Sequence, residues 1–305
     1  MSLKNLLKKK SGIDAFLRWQ RIELEQSRIL NGRLLANINS SKGLVNDFEK
    51  IEFSVFSQLG DDGIIQYLIE QINFPNKYFI EFGVQNYIES NTRFLLMNNN
   101  WSGLIMDGSQ DFIDFIQNDY YYWKYNLQAK KLFITKDNIN NAFIEEKVPK
   151  EPGILHIDID GNDYWIWKSI EVVSPVVVIM EYNSGFGALR PITVPYVDDF
   201  ERYNCHYSGL IFGSSLQSLC DLAEEKGYYF IGSNSYGNNA YFVKKEYIGS
   251  LQPISCQEGY RQSMCRQNKN TDGSFSLKLD DEVIKTFQNV KVFNTRTKNI
   301  ENLNE

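Results

Sequence analysis

Glu151-Pro152-Gly153-Ile154-Leu155-His156-Ile157-Asp158-Ile159-Asp160-Gly161-Asn162-Asp163-Tyr164-Trp165-Ile166-Trp167 is the stretch from which the fold can be read. Ile154 to Asp158 is short, apolar and followed by a Gly-Asn turn. That pattern describes a strand buried on both faces, ending where a helix begins near Asp163. Val176 to Met180 repeats it and runs into Glu181-Tyr182-Asn183. Ligands of open parallel sheets bind beyond the carboxyl ends of the strands. Both strands end on acids, Asp158 with Asp160 and Glu181 with Asn183, so four oxygen-bearing side chains gather near one spot.

Upstream, strand and helix patterns alternate. Phe56-Ser57-Gln58-Leu59-Gly60-Asp61-Asp62-Gly63 leads into an apolar helix ending near Ile72, with Pro75 blocking its extension. Strands are expected at Tyr78–Phe82, Gly103–Asp107 and Leu132–Ile134, and helices at Glu89–Met97, Asp111–Gln117 and Asn138–Glu146. Downstream, Leu216–Lys226 reads as a helix stopped by Gly227, and Tyr228–Ile231 and Ala240–Val243 flank a Gly-Asn-Asn turn. The expectation is an α/β, doubly wound, Rossmann-like seven-stranded sheet finished by an antiparallel hairpin.

With 305 residues and 43% apolar content the chain can bury a full core. The expected organisation is a helical N-terminal arm over 1–50, a main domain over 51–250 and a C-terminal extension over 251–305 that either caps the substrate side or trails as a loose tail, mobile from Thr297. Within the arm, Ala15, Trp19, Ile22, Ile29 and Ala36 fall near heptad spacing, interrupted by Gln26 and Arg33. The favoured reading is an amphipathic helix lying on its own domain, with a homodimer arm as the alternative. Cys205, Cys220, Cys256 and Cys265 lack zinc-ribbon spacing, and no apolar run approaches the ~20 residues of a membrane span. The basic opening Met1–Lys10 precedes too short an apolar run for a signal peptide, so a cytoplasmic location is expected.

Residues 1–50 hold ten Lys/Arg against five Asp/Glu, and the remainder 22 against 33. An acidic body argues against a nucleic-acid groove, whereas the basic arm could meet an anionic membrane or polyanion; solvated charge is the simpler reading.

The first strand ends Glu81-Phe82-Gly83 and the second Asp107-Gly108-Ser109. A carboxylate at such a position can take both ribose hydroxyls of a nucleoside, and Gly83 lets the backbone come close to a ligand. A dinucleotide would call for Gly-x-Gly-x-x-Gly here, but the chain reads Gly83-Val84-Gln85-Asn86-Tyr87-Ile88. An acidic, glycine-poor turn suits a sulfonium without phosphates, S-adenosylmethionine.

On Phe56-Ser57-Gln58, Glu81-Phe82-Gly83, Ser90-Asn91-Thr92, Asp107-Gly108-Ser109, Asp158-Ile159-Asp160-Gly161 and Glu181-Tyr182-Asn183, the chain resembles a class I S-adenosylmethionine-dependent methyltransferase of the FkbM-like, glycan-modifying type. The resemblance runs from Phe56 to Val243. It implies Glu81, Gly83 and Asn91 for the methionine part of the cofactor, Asp107 and Ser109 for the ribose, and Asp137 or Asn138 for the adenine. Asp158 is expected as a further cofactor contact in the reading in which Asp160 and Asp163 cap the following helix. The usual second and third glycines of the first turn are missing.

Asp158, Asp160, Glu181 and Asn183 also suit a hard divalent cation such as Mg2+, in the manner of catechol-type methyltransferases, with Asp163 and Asp160 as helix caps in the alternative reading. His156, inside a strand, reads as a hydrogen-bonded core histidine. His206, in a loop where a substrate lid would lie, is a candidate base alongside Asp160 and Glu181. The aromatic run at Tyr164-Trp165-Ile166-Trp167 is expected between sheet and helix, and the run from Tyr120 to Tyr125 is left open. These readings point to O-methylation of a sugar or surface-glycan precursor. The rivals are a nucleotide-sugar glycosyltransferase clamping diphosphate with Asp158-Ile159-Asp160, and a non-catalytic binding module.

Overall fold

The computed structural model describes residues 3–45 and 47–304, with side chains from Gly12 onward. Met1 and Ser2 of the basic opening, and Asn46 near the end of the arm, lie outside these residues. The elements are α1 (Leu3–Ser40), α2 (Asp61–Gln71), β1 (Tyr78–Phe82), α3 (Arg93–Asn99), β2 (Ser102–Asp107), α4 (Gln110–Gln117), β3 (Leu127–Lys131), α5 (Ile139–Glu145) and β4 (Ile154–Ile157). There follow α6 (Asp163–Ser169), β5 (Val177–Glu181), β6 (Ile192–Thr193), α7 (Arg202–Cys205), α8 (Leu216–Lys226), β7 (Tyr228–Ser233), β8 (Asn239–Lys244), α9 (Cys256–Gly259), α10 (Asp280–Ile284), β9 (Lys291–Asn294) and β10 (Ile300–Asn302).

Seven strands form one sheet in the order β3-β2-β1-β4-β5-β8-β7. β1 to β5 are mutually parallel, and β8 runs antiparallel to both β5 and β7. The expected doubly wound sheet with its closing hairpin is therefore present. Side chains alternate across a strand. Ile80, Leu104, Leu155, Val178 and Met180 feed the core on one face, while Phe79, Ile105, Ile154, Val177 and Ile179 feed the other. Each fully buried side chain of this size contributes about 1.5–3 kcal/mol, which is why these strands read as unbroken apolar runs.

Three expectations need correction. β3 is Leu127–Lys131, upstream of the expected Leu132–Ile134. It is an edge strand paired only to β2, so Gln128, Lys130 and Lys131 are tolerated in it and its sequence looks polar. The apolar residues after it leave the sheet. α3 begins at Arg93 and not at Glu89, because the backbone N–H groups of Asn91 and Thr92 are donated to the Glu81 carboxylate. Finally, the chain beyond Thr297 is no loose tail. β10 pairs with β9, and β9 with β6, in a second sheet. Arg190 holds this end through Glu301 (2.5 Å) and the Leu303 carbonyl.

α1 lies against the body over its second half, through Ile22, Ile29 and Ala36 as expected; Trp19 is exposed, as is Ala15. Gly32 sits so close that a Cβ would fall 2.4 Å from Val55 and 2.8 Å from Phe94. Glu25 pairs with Arg93 (2.9 Å) and accepts from the Tyr120 hydroxyl. The Arg93 guanidinium lies over the Phe56 and Tyr121 rings, at 4.4 and 4.6 Å. The first half of the open aromatic run thus seats the arm. In the second run, Trp167 packs into the core against Tyr228 and Phe242, while Trp165 meets Phe293 of the second sheet.

Candidate functional site

The strand order reverses direction between β1 and β4, and the crevice opens at that switch point. Two cavities of about 240 and 200 Å³ meet there, sharing Gly83, Gln85 and Asp158. Gly83 is the saddle between them. Its φ is +67°, and a Cβ would lie 1.7 Å from the Asp158 carbonyl oxygen, so β1 and β4 can approach only with glycine here. Gln85 and Tyr87, at φ 48° and 59°, take left-handed conformations without glycine. Gln85 is held there by its own N–H, which donates to Asp107 Oδ2 (2.8 Å). The missing second glycine is therefore replaced by a strained residue tied to the tip of β2.

Glu81 is buried and saturated. Oε1 accepts from Asn91 N (2.9 Å) and His156 Nδ1 (3.0 Å), and Oε2 from Ser90 Oγ (2.6 Å), Thr92 N (3.2 Å) and Thr92 Oγ1. Asn91 Nδ2 lies 3.2 Å from His156 Nε2; a neutral ring accepts there, and a protonated ring is accommodated by turning the amide so that its oxygen faces Nε2. Burial opposes charge on both partners, yet their pairing prevails: the Glu81 carboxyl is lowered and the His156 imidazole raised from the ordinary range. His156 is a core histidine, as its strand position suggested. Glu81 and Asn91 both line the larger cavity, with Glu81 acting as the post that fixes the 83–92 loop.

Asp107 lines the smaller cavity. Its Oδ1 accepts from Ser109 N (2.8 Å) and its Oδ2 from Gln85 N, leaving lone pairs on both oxygens for a ligand. The Ser109 side chain lines neither cavity. Nor do Asp137 and Asn138. Asn138 braces its own turn, accepting from Thr135 N (2.9 Å) and donating to the Phe133 carbonyl (2.9 Å). The wall they were expected to supply is made by Leu132, Phe133 and Ile134, which follow β3, and by Phe200 from the lid loop.

In the Asp158–Asp163 turn the acids separate by role. Asp163 accepts from Ile159 N and Gly161 N (both 2.9 Å) and shapes the turn. Asp160 adopts φ 57° and pairs with Arg202 of α7 (2.6 Å). Asp158, Asp160 and Glu181 each offer an oxygen within 4.8 Å of the others. Burial and its neighbour Asp160 push the Asp158 carboxyl up to about 7, and burial with Asp158 pushes Glu181 well above the carboxylate range. Glu181 Oε2 is buried and has no hydrogen-bond partner. Three converging carboxylates with an orphaned buried oxygen fit a hard divalent cation. Asn183 does not share this arrangement: its amide donates to the Leu210 (2.9 Å) and Phe212 (3.1 Å) carbonyls, and its oxygen accepts from Gly185 N (3.0 Å).

A third cavity of about 110 Å³ adjoins the first through Gln58, Leu59 and Asn238. It runs from Glu181 to the C-terminal extension, which contributes Ser263, Gln267, Asp280 and Asp281. His206 faces none of these three spaces. It borders a separate hollow of about 600 Å³, donates to or accepts from Ser208 Oγ (2.8 Å), stacks on Phe287 (4.2 Å), and has its imidazole lowered by burial.

Sequence reasoning missed Gln58, Asp61, Gln85 and Asn239 as crevice residues. Gln85, standing where a second glycine is usual, and Gln58, within the Phe56-Ser57-Gln58 motif, carried a signal. Asp61 is drawn in from the start of α2 by Asn239 Nδ2 (3.0 Å) and the Tyr241 hydroxyl, contacts that no local pattern announces.

No protein-family model and no functionally curated protein matches the chain. Solved structures similar to it include an O-methyltransferase from Bacillus cereus in complex with SAH (13% identity, 72% of this chain and 91% of that one, TM-score 0.40). Others are the N-terminal domain of EvdMO1 with SAH bound (12%, 73% and 94%, 0.40) and a putative caffeoyl-CoA O-methyltransferase from Staphylococcus aureus (12%, 75% and 99%, 0.39). At these identities and scores they assign no activity.

Proposed function

We propose that the chain is an S-adenosylmethionine-dependent O-methyltransferase acting on a hydroxyl of a sugar or glycan precursor. One observation carries this reading. Asp61, Glu81, Glu89, Asp107, Asp158 and Asp160 border the two joined cavities, and among the described residues no lysine or arginine lines either. Such a crevice favours a cationic ligand and repels a nucleotide diphosphate, whose phosphates would need basic side chains or a free helix end. That weighs against the glycosyltransferase alternative.

The residues present fit the cofactor. Asp107 would take the ribose hydroxyls, Leu132, Phe133, Ile134 and Phe200 would enclose the adenine, and Gly83 with the loop fixed by Glu81 would receive the methionine part. The cofactor supplies an electrophilic methyl on a cationic sulfur. The protein's share is to hold an acceptor oxygen in line with it, which is where most of the rate gain of such a transfer arises. The third cavity, bordered by Gln58, Ser184, Asn238, Ser263 and Gln267, offers hydrogen-bonding partners suited to a polyol. Glu181 and Asp158 stand at the junction of the spaces, where a carboxylate with a raised pKa can hold the acceptor's proton. A divalent cation at Asp158, Asp160 and Glu181 would lower the pKa of the acceptor hydroxyl.

Calorimetry separates the candidates. S-adenosylmethionine should bind and UDP-sugars should not, and Asp107→Ala should abolish the binding. Unchanged affinity in that variant removes Asp107 from the site. His206→Ala is expected to keep full turnover; loss of turnover at unchanged cofactor affinity would restore His206 as the base. Cofactor binding without turnover across a hydroxyl library would favour a binding module.

A further inference from the structure

We infer that α1 carries a second interface, on the side facing away from its own domain, and that it is filled by the same helix of a second copy in a parallel, in-register coiled coil. The residues that meet the domain, Ile22, Glu25, Ile29, Gly32, Ala36 and Asn39, step along the helix by threes and fours. A second stripe with the same stepping runs down another face. It comprises Ile13, Leu17, Gln20, Leu24, Ser27, Asn31, Leu34 and Ile38, all of them exposed. Its five large apolar side chains are 52–63% exposed, and Leu30 and Leu35 beside them are 57% and 42% exposed. Over the 26 residues from Ile13 to Ile38 the stripe is about 37 Å long. An apolar strip of this extent exceeds what isolated surface residues explain.

The sequence beside the stripe selects the occupant. With Leu17, Leu24, Asn31 and Ile38 as the first core position of each heptad, and Ile13, Gln20, Ser27 and Leu34 as the second, the flanking positions are Phe16, Glu23 and Leu30 on one side and Asp14, Arg21, Arg28 and Leu35 on the other. In a parallel pair each residue of the first set faces the residue five further along on the other helix. Glu23 then meets Arg28 of the second copy, and Leu30 meets Leu35, while Phe16 meets the stem of Arg21, whose guanidinium is held by Asp119 of its own domain. Two-fold symmetry repeats these contacts. An antiparallel pair centred on the same stripe sets Glu23 against Leu30 and Arg21 against Arg28, which matches neither charge nor polarity. Asn31 in a core position favours one register, since an amide there is satisfied only opposite its counterpart. The two stripes lie on different sides of the helix, and among the described residues only near Leu17 does the outer one also border a groove against the domain, at Asp111, Asp114 and Phe115 of α4.

Sedimentation equilibrium of the full chain tests this, with a dimer expected. Leu17→Asp/Leu24→Asp/Leu34→Asp should sediment as a monomer with an unchanged near-UV spectrum, because these side chains are exposed, and its melting temperature should lose the dependence on protein concentration that a dimer has. Gln20→Cys should form an interchain disulfide with itself under mild oxidation, against a parent-chain control for the four native cysteines. Glu23→Arg should weaken the dimer at least tenfold, and Glu23→Arg/Arg28→Glu should restore it. A parent chain monomeric at roughly 100 µM, or a dimer indifferent to the triple substitution, overturns the inference. Cross-linking of Gln20→Cys only with Asn31→Cys overturns the parallel arrangement. A monomer that floats with phosphatidylserine vesicles, and not with neutral ones, would give this face to an anionic membrane instead.

Discussion

Replacing Glu81 by glutamine changes one atom at the centre of the crevice wall, and the geometry fixes what that should cost. The carboxylate takes five donors, two on Oε1 and three on Oε2. If the new NH2 takes the place of Oε1 it faces Asn91 N–H; if it takes that of Oε2 it faces Thr92 N–H. Asn91 N–H cannot reverse and would be stranded at about 1–3 kcal/mol, whereas Thr92 N–H keeps Ser90 Oγ at 3.1 Å, so the amide settles with its NH2 at Oε2, toward hydroxyls that can turn to accept. The variant also breaks the buried pair with His156, and removing one partner of such a pair costs about 3–5 kcal/mol. With no backbone donor stranded in that orientation, the broken pair sets the total, about 3–5 kcal/mol, a large part of the 5–15 kcal/mol typical of a folded chain. Urea denaturation near pH 6 measures it. The pH profile adds an independent check. The lowered Glu81 carboxyl contributes stability above its ordinary pKa of 4.5 that is lost as pH falls through its folded value. The raised His156 contributes stability below 6.5 that is lost as pH rises through its folded value. Stabilisation by the pair should therefore be greatest between the two and be absent in Glu81→Gln. A change under 1 kcal/mol, with an unaltered profile, would refute the role of Glu81 as the post of this loop.

At the saddle, Gly83→Ala should abolish S-adenosylmethionine binding because its Cβ would overlap the Asp158 carbonyl, whereas Gln85→Gly should keep binding and stabilise by up to about 1 kcal/mol by relieving the left-handed strain; calorimetry and thermal melts on both decide it. Glu25→Ala leaves the buried Arg93 without its carboxylate and should cost about 3 kcal/mol, seen as easier proteolysis between α1 and α2. Asp158 holds a proton up to about pH 7 in the folded chain but only to about 4 when unfolded, so its burial costs stability increasingly as pH rises across that window. If the acid cluster takes Mg2+, the melting temperature should rise with Mg2+ more at pH 8 than at pH 5 and fall back with EDTA. An Mg2+-independent melt at pH 8 would count against the cation.

The sequence alone determined the parallel sheet, because strands covered on both faces must be apolar along their whole length and their ends are marked by turn residues. Tyr78–Phe82 and Leu216–Lys226 were legible to the residue for that reason, as was the placing of Glu81, Asp107 and Asp158 at strand tips. It misread β3, where an edge position relaxes the demand for apolar residues, and it left the C-terminal segment open between cap and tail, with a mobile end from Thr297, because the partners of that end lie about a hundred residues away in β6 and Arg190. Only the folded chain decided which acids face ligand space. Local sequence places a carboxylate near a strand end, but whether its oxygens are consumed, as in Glu81 and Asp163, or left open, as in Glu181, depends on donors brought from distant segments. The same holds for α1, whose two stripes overlap in one sequence and could be told apart only once the domain had covered one of them.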